Sequence, residues 1–344
     1  RVVRPAPGSL YDIMHDHCGE SLFITPICWT DAHARLLGVN FVDCDPVQNP
    51  VPDLSSMSQL PLRPSRIATE LSKDLTAILS PKLGCFTAHS VKRVLRTFFP
   101  ATLSKAKSNV DLECRFGDHT LKRAVRVTVL WQQSDSLDAS FDNNNDSRIR
   151  DWRRYSSSSG QQLSRPVLAF VNRTHLTMVR HNLYRVVPGP ANGDQMNTPV
   201  LNLQRLRSKK LVPENGDHDS YLVAIMLAIA QSQCYAQGTT ASSSRASSQK
   251  SSQGSTISAD SVQPRPVFRD VPVRILSQDS SAAAFVVYST VVTAAFLERF
   301  AEPTKAPSAD ALHNGGLKVE VTRVPIWPVL GLKERLAQAL GAEL

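Results

Sequence analysis

The order of apolar and polar positions divides the chain into helix-like and strand-like stretches. Between Ser65 and Pro81, and again between Thr87 and Pro100, apolar residues recur every three or four positions. Residues at that spacing share one side of a helix, so each stretch predicts a helix with one buried face. Proline cannot continue a helix, and the two prolines therefore predict where these helices end.

Alternating apolar and polar positions then predict strands. Val110–Phe116 and Ala124–Trp131 flank a turn at Gly117 and Asp118, and together they predict a hairpin. β-branched and aromatic side chains fit the half-buried surface of a sheet, and they dominate the other strand-like runs. These runs are Val167–Val171, Leu176–Arg180, Leu183–Val187, Pro266–Leu276, Ala284–Tyr288 and Leu317–Trp327.

Three further helices are predicted in the second half of the chain. Asp217–Tyr235 is apolar on nearly every side, which predicts a buried helix. Two short amphipathic helices are predicted between residues 267 and 341. In the second of these, Leu332, Leu336 and Leu340 share one face, and Gly341 is a natural stop.

Two stretches lose all periodicity. Residues 134–164 and 238–263 are rich in Ser, Asn and Gln and too poor in apolar residues to offset the entropy of ordering the chain, so both are predicted to be disordered insertions. Residues 1–64 carry short apolar clusters among prolines and turn formers. We expect them to form a loosely structured N-terminal segment with a short helix near Asp31–Leu37.

The fold class that follows is α/β (or α+β), with a central mixed sheet flanked by helices and interrupted by the two insertions. We expect a single domain over residues 65–341. A division into two domains at the first insertion is the alternative.

Charge and cysteine usage narrow the partners and the compartment. Lysine and arginine outnumber aspartate and glutamate 39 to 30, and a net charge of +9 favours an acidic protein partner, another acidic ligand or a nucleic acid. The longest apolar run, Tyr221–Ala230, is about half of the roughly 20 residues that span a bilayer, so no membrane partner is expected. Six scattered cysteines without a Cys-x-x-Cys pair favour free thiols, and hence an intracellular protein of the cytoplasm or nucleus.

Asp111 and Glu113 are the strongest catalytic candidates. They alternate on one predicted strand and so point to the same face, and paired carboxylates can hold Mg²⁺ for phosphodiester hydrolysis. The predicted order of helix, three strands, helix and strand that begins near Thr87 resembles the core of the PD-(D/E)xK nuclease superfamily. That family's pattern calls for a lysine where Arg115 stands and for an acidic residue on the next strand, yet Ala124–Trp131 contains no carboxylate.

Other reactive constellations are missing from the sequence. No Gly-x-Ser-x-Gly elbow or glycine-rich phosphate loop occurs. His15, His17 and Cys18 form the densest group of potential metal ligands, but the distant Cys28 and Cys44 do not complete the two close pairs of a zinc module. We therefore expect neither a metal site nor a cofactor, with Mg²⁺ required only under the nuclease alternative.

Basic residues gather on the helix that begins at Thr87 and in the first insertion. Guanidinium groups beside aromatic rings can hold a phosphorylated partner or a single-stranded nucleic acid. The predicted binding residues are Lys92, Arg93, Arg96, Arg150, Trp152, Arg153 and Arg154.

Part of the chain also carries a family resemblance. Val271–Leu276, Thr293–Phe300 and Val321–Leu336 resemble a family of uncharacterised proteins from filamentous fungi, over residues 165–190, 219–236 and 267–341. That family has no established activity, so the resemblance implies provenance and no site residue. The sequence predicts a non-enzymatic binding or scaffold protein with a basic surface. The alternative is a degenerate or active PD-(D/E)xK-like nuclease that uses Asp111 and Glu113.

Overall fold

The computed structural model describes residues 5–47, 65–80, 86–103, 105–133, 165–185, 189, 191–192, 195–243, 266–306 and 316–341. The first predicted insertion lies outside the described residues, as does the second from residue 244 onwards. Residues 48–64, the later part of the N-terminal segment, lie outside them as well.

Helices and strands alternate along the described ranges. The helices are α1 (Leu10–Asp16), α2 (Asp31–Leu36), α3 (Arg66–Leu79), α4 (Thr87–Phe98), α5 (Arg173–Asn182), α6 (Thr198–Lys210), α7 (Ser220–Ser243), α8 (Ala294–Ala301) and α9 (Leu332–Leu340), with a 3-10 turn at Pro26–Cys28. The strands are β1 (Val39–Cys44), β2 (Ala106–Phe116), β3 (His119–Gln133), β4 (Arg165–Val171), β5 (Ala191–Asn192), β6 (Gln195–Met196), β7 (Val271–Asp279), β8 (Ala284–Val292) and β9 (Leu317–Pro325).

A mixed sheet of seven strands forms the centre of the fold. Its order is β1-β9-β8-β7-β4-β3-β2, and β5 and β6 form a separate pair. β1 pairs with β9 and β4 with β7 in parallel, whereas the other neighbours in the large sheet are antiparallel. Strands β1, β9, β7, β4 and β2 therefore run in the same direction. This architecture confirms the predicted α/β class with a central mixed sheet flanked by helices.

The long helix α7 covers one face of the sheet. Every residue from Ser220 to Gln231 is buried, and the helix packs against the β2–β3 hairpin and β7. A helix that is apolar all round has no side to present to water, so it becomes the centre of a core layer. Leu10 of α1 and Phe296 of α8 belong to the same layer.

Three amphipathic helices cover the other face. Leu75 of α3, Val94 of α4 and Leu336 of α9 are fully buried in a second apolar layer. The start of α3 is fixed by Ser65, whose side chain accepts a hydrogen bond from the Ala68 backbone N–H. The apolar stripes therefore predicted both the existence and the buried faces of these helices.

The segment between β4 and α7 differs from the sequence-based expectation. A strand was expected at Leu176–Arg180, but these residues lie in α5, where the Asn172 side chain caps the helix by accepting from the His175 N–H. Leu176 and Arg180 are the buried residues of α5, and their four-residue spacing is helical. The helix α6 follows in a stretch where no helix was predicted, and the Asn197 side chain caps it by accepting from the Val200 N–H.

The N-terminal segment is more ordered than expected within residues 5–47. It contributes α1, α2 and the edge strand β1, which pairs in parallel with β9. The two strands start so close together that a Cβ on Gly316 would lie 2.1 Å from the Gly38 carbonyl oxygen. Only glycine, which has no Cβ, permits this approach. Such a pairing joins opposite ends of the chain, and local periodicity does not reveal it.

Helix α7 also runs further than predicted. It continues to Ser243, into the stretch from residue 238 that was expected to be disordered. Extending an established helix adds a hydrogen bond for each residue fixed, without the cost of nucleation.

The exposed edge of β2 is blocked by α7. The Gln231 side chain accepts from the Arg115 N–H at 2.8 Å and donates to the Arg115 carbonyl oxygen, also at 2.8 Å. An unpaired strand edge can form backbone hydrogen bonds with a further strand. The Gln231 amide already occupies the N–H and the carbonyl oxygen of Arg115, so it blocks such pairing at this residue.

Candidate functional site

A cavity of about 850 Å³ opens where the β2–β3 hairpin extends past the end of β4. Its walls come from the hairpin, the first two turns of α5, the start of α4 and the 3-10 turn. The charged and polar residues that line it include Asn109, Asp111, Arg123, Arg126, Thr128, Asn172, Thr174, His175 and Tyr221. The cavity thus contains Asp111, one of the two carboxylates selected from the sequence.

Asp111 and Arg126 lie opposite each other on β2 and β3 and form a two-point ion pair. The Arg126 Nε is 2.6 Å from Asp111 Oδ1, and the Arg126 Nη2 is 3.1 Å from Oδ2. Charge-assisted pairs of this geometry are among the stronger hydrogen bonds in proteins. The Arg126 guanidinium therefore lowers the pKa of Asp111, and the carboxylate raises the pKa of Arg126 in return.

A second arginine leaves the cavity with more positive than negative charge. Arg123 adopts a left-handed φ of 52° within the irregular part of β3, and its side chain is 84% exposed. Its Nε lies 3.9 Å from Asp111 Oδ2, so one carboxylate faces two guanidinium groups. Asp111 is the one acidic residue among those lining the cavity.

Hydrogen bonds between neighbouring elements hold the floor of the cavity in place. The Tyr221 hydroxyl accepts from the Arg126 N–H at 2.8 Å and donates to the Arg126 carbonyl oxygen at 3.2 Å. The Asn172 N–H donates to Thr128 Oγ1 at 3.1 Å. Burial raises the pKa of Tyr221, so this hydroxyl stays neutral and keeps both roles.

The α5 wall is attached by buried ion pairs. Arg180 donates to both oxygens of Asp219, at 2.5 and 2.7 Å, and both side chains are buried. Arg173, at the start of α5, bonds Asp217 at 2.5 Å and packs against Gly216, where a Cβ would lie 2.5 Å from its Nη2. The loop before α7 thus fixes the helix that forms one side of the cavity.

The geometry does not favour a metal site at the two predicted carboxylates. Both oxygens of Asp111 are committed to Arg126, whereas Glu113 is exposed to solvent. A divalent cation would have to displace an arginine from Asp111 before binding there. Within the described ranges no group of three or more His, Cys, Asp or Glu side chains is placed to hold a metal ion.

The predicted basic residues of α4 have different environments. Arg93 forms a two-point ion pair with the buried Asp74, which raises the arginine pKa and neutralises its charge. Lys92 is half-buried and Arg96 is exposed. Lys92 follows Ala88, which lines the cavity, by one helical turn. The remaining predicted binding residues, Arg150, Trp152, Arg153 and Arg154, lie outside the described residues.

Sequence reasoning missed Arg123 and Arg126, and the reason lies in the hairpin register. Near the turn, Phe116 pairs with His119, and an uninterrupted register would set Asp111 opposite Ala124. An irregularity between Leu112 and Cys114 shifts the pairing by two residues of β3 and brings Asp111 to Arg126. The opposite charges on the two strands were visible in the sequence, but their alignment was not.

Comparison with known proteins adds no family to this picture: no protein-family model and no curated protein matches the chain.

In the part of the chain that the structure describes, no helix is both long enough and apolar enough to cross a bilayer. The free cysteines of the described residues are Cys18, Cys28, Cys44, Cys114 and Cys234.

Proposed function

We propose that this chain is a non-enzymatic intracellular binding or scaffold protein that captures an acidic ligand at the cavity between the β2–β3 hairpin and α5. One observation carries the proposal: two arginines face one carboxylate there, and that carboxylate already bonds Arg126 through both of its oxygens. The surplus charge is positive and lies on Arg123, whose guanidinium is largely exposed.

The size and chemistry of the cavity indicate the kind of ligand. A volume of about 850 Å³ suits a small molecule or a protruding group of a larger partner. Guanidinium groups recognise carboxylates and phosphates through paired N–H donors. Arg123 would anchor such a group, while Arg126, held by Asp111, would orient it. An acidic protein segment fits this description, and a nucleic acid shares the same anionic groups.

The α4 surface extends the proposed site beyond the cavity. Ala88 lines the cavity, and Lys92 and Arg96 follow it at four-residue intervals along the helix. A longer acidic partner could therefore contact Arg123 and then these two cations. Arg93, which was predicted alongside them, is excluded from this role because Asp74 already pairs with it.

Charge reversal tests the proposal. Arg123→Glu combined with Arg96→Glu should weaken binding of a fluorescein-labelled polyglutamate peptide at least tenfold at low salt, measured by fluorescence anisotropy. The matched control is Lys73→Glu with Lys333→Glu, two exposed lysines on α3 and α9. Equal binding by the two double variants would contradict the proposal. A labelled single-stranded oligonucleotide, tested in parallel, distinguishes a nucleic acid from an acidic protein.

A nuclease remains the second candidate, on one specific observation. With α5, β5, β6 and α6 inserted between β4 and α7, the elements α4, β2, β3, β4, α7 and β7 have the order of the PD-(D/E)xK core, and β4 and β7 are parallel neighbours. Under this alternative, Asp111 and Glu113 would bind Mg²⁺ or Mn²⁺ and DNA would be cleaved. Metal-dependent cleavage that Asp111→Ala abolishes would support it. If the wild-type chain cleaves no DNA with either metal, the nuclease alternative is contradicted and the binding function is the candidate that stands.

A further inference from the structure

Helix α6 presents an apolar surface to water. Leu203 and Leu206 are 50% and 66% exposed, and Met196, just before the helix, is 65% exposed. Ser208 is the one residue of α6 that is buried. Val200 precedes Leu203 by three residues and is also exposed, so the three aliphatic side chains follow one side of the helix. Among the described residues, nothing covers this side.

Basic residues accompany the apolar ones. Arg207 and Lys210 follow Leu203 and Leu206 by four residues and so lie on the same side of the helix. We name Val200, Leu203, Leu206, Arg207 and Lys210 the α6 face. Lys210 lies 3.8 Å from Glu20, whereas Arg207 forms no ion pair within the described ranges.

A basic groove adjoins the α6 face. Lys209, which follows Leu206 by three residues and so neighbours it on the helix, lines a cavity of about 590 Å³ together with Arg205, His181, Val212 and Pro213. No acidic residue is among those lining it, and neither Arg205 nor Lys209 is ion-paired to a described carboxylate. Lys209 lies in the last turn of α6, where the helix dipole interacts favourably with its charge. The dipole does not provide an ion-pair partner, so the ammonium group can still pair with a carboxylate of another molecule.

We propose that the α6 face is a docking site for an acidic amphipathic segment of a partner protein. Apolar side chains of that segment would cover Leu203 and Leu206, and its carboxylates would pair with Arg207 and with the cations of the groove. Charge complementarity decides the occupant. An exposed apolar stripe that is bordered by unpaired cations favours a segment whose apolar side chains are bordered by carboxylates. A groove beside the stripe suits a peptide better than the flat surface of a bilayer. The proposal is independent of the cavity at Arg123.

Peptide selection tests the docking site without assuming a sequence. A phage-displayed library of random 16-residue peptides is selected against the immobilised full chain. We expect the enriched peptides to carry Asp or Glu together with Leu, Ile or Phe at three- or four-residue spacing. Leu203→Ser with Leu206→Ser should reduce the affinity of a synthesised, enriched peptide at least tenfold, and so should Arg205→Glu with Arg207→Glu. These residues are exposed, so both variants should unfold at the wild-type temperature.

Four outcomes would overturn the docking site. Enriched peptides could lack acidic residues, or could bind the α6 variants and Lys73→Glu with Lys333→Glu equally well. Co-sedimentation with vesicles of phosphatidylserine and phosphatidylcholine, lost in the Leu203→Ser and Leu206→Ser variant, would assign the face to a membrane. Dimerisation in light scattering that depends on the same two leucines would assign it to a second copy of this chain. Retained peptide binding in Arg123→Glu with Arg96→Glu separates this site from the cavity.

Discussion

α6 and α7 follow each other between the same two strands, yet they have opposite relations to the core. α7 buries every residue over its first three turns, whereas α6 buries Ser208 alone and exposes Leu203 and Leu206. The buried leucines of α7 stabilise the fold, whereas the exposed Leu203 and Leu206 of α6 contribute little to its stability. The difference indicates that α7 is the scaffold and that α5 and α6 form an attached layer whose surface is available for binding.

The largest effect should follow from a charge inside α7. Ala228 is fully buried, so Ala228→Asp would place a carboxylate in an apolar layer without a partner. We expect the variant to lose its cooperative unfolding transition in circular dichroism. Leu206→Asp makes the matched change on α6 and should alter the free energy of unfolding by no more than about 0.5 kcal/mol. Similar losses from both variants would remove the distinction between the two helices.

The buried ion pair that attaches α5 should give the next largest effect. Arg180→Ala leaves Asp219 buried without its partner and should cost about 3–5 kcal/mol in chemical denaturation. The exposed pair of Arg66 and Glu70 provides the comparison, since Arg66→Ala should cost no more than about 1 kcal/mol. If α5 is an attached layer, hydrogen exchange in Arg180→Ala will rise in α5 before it rises in α7. Uniform exchange would show that α5 belongs to the central core.

A smaller effect is expected where α7 blocks the edge of β2. Gln231→Ala removes both hydrogen bonds to Arg115 and should destabilise the chain by about 1–3 kcal/mol. It should also promote concentration-dependent association, because the strand edge becomes free to pair. Gln231→Glu keeps the acceptor for the Arg115 N–H but loses the donor, so its effect should be intermediate. If Gln231→Ala stays monomeric in light scattering, the amide does not protect the β2 edge from association.

The smallest expected effect is a pH dependence of the folding stability that arises from His33 in the N-terminal segment. Burial lowers the pKa of His33, whose Nδ1 accepts from the Thr30 N–H at 3.0 Å. The unfolded chain therefore takes up a proton first as the pH falls below about 6.5, and stability decreases until the folded-state pKa is passed. Wild type should lose stability between pH 7 and pH 5, and His33→Gln should lose less. Trp29 stacks on the ring at 5.7 Å, so its fluorescence reports the change locally. Equal pH profiles would contradict the assignment.

Sequence patterns predicted the candidate site only in part. Asp111 was selected because its strand alternates, and the structure places it in a cavity. Its partner could not be selected, because a two-residue shift in the hairpin decides that Arg126 and not Ala124 faces it. Arg93 was selected as a binding residue on the outer face of α4. Asp74, nineteen positions earlier and on another helix, neutralises it through a contact that no local pattern shows.

The chain's own periodicity determined the elements whose burial is strongly one-sided or complete: α3, α4, α7, α9 and the strands of the C-terminal half. Burial of apolar surface is encoded residue by residue, so a repeat of two or of 3.6 positions suffices to reveal it. Tertiary structure alone decided the pairing of β1 with β9, the burial of Arg180 against Asp219 and the positive charge that remains at Arg123. Each depends on a distant partner or on a register, and such energies arise only when remote parts of the chain meet.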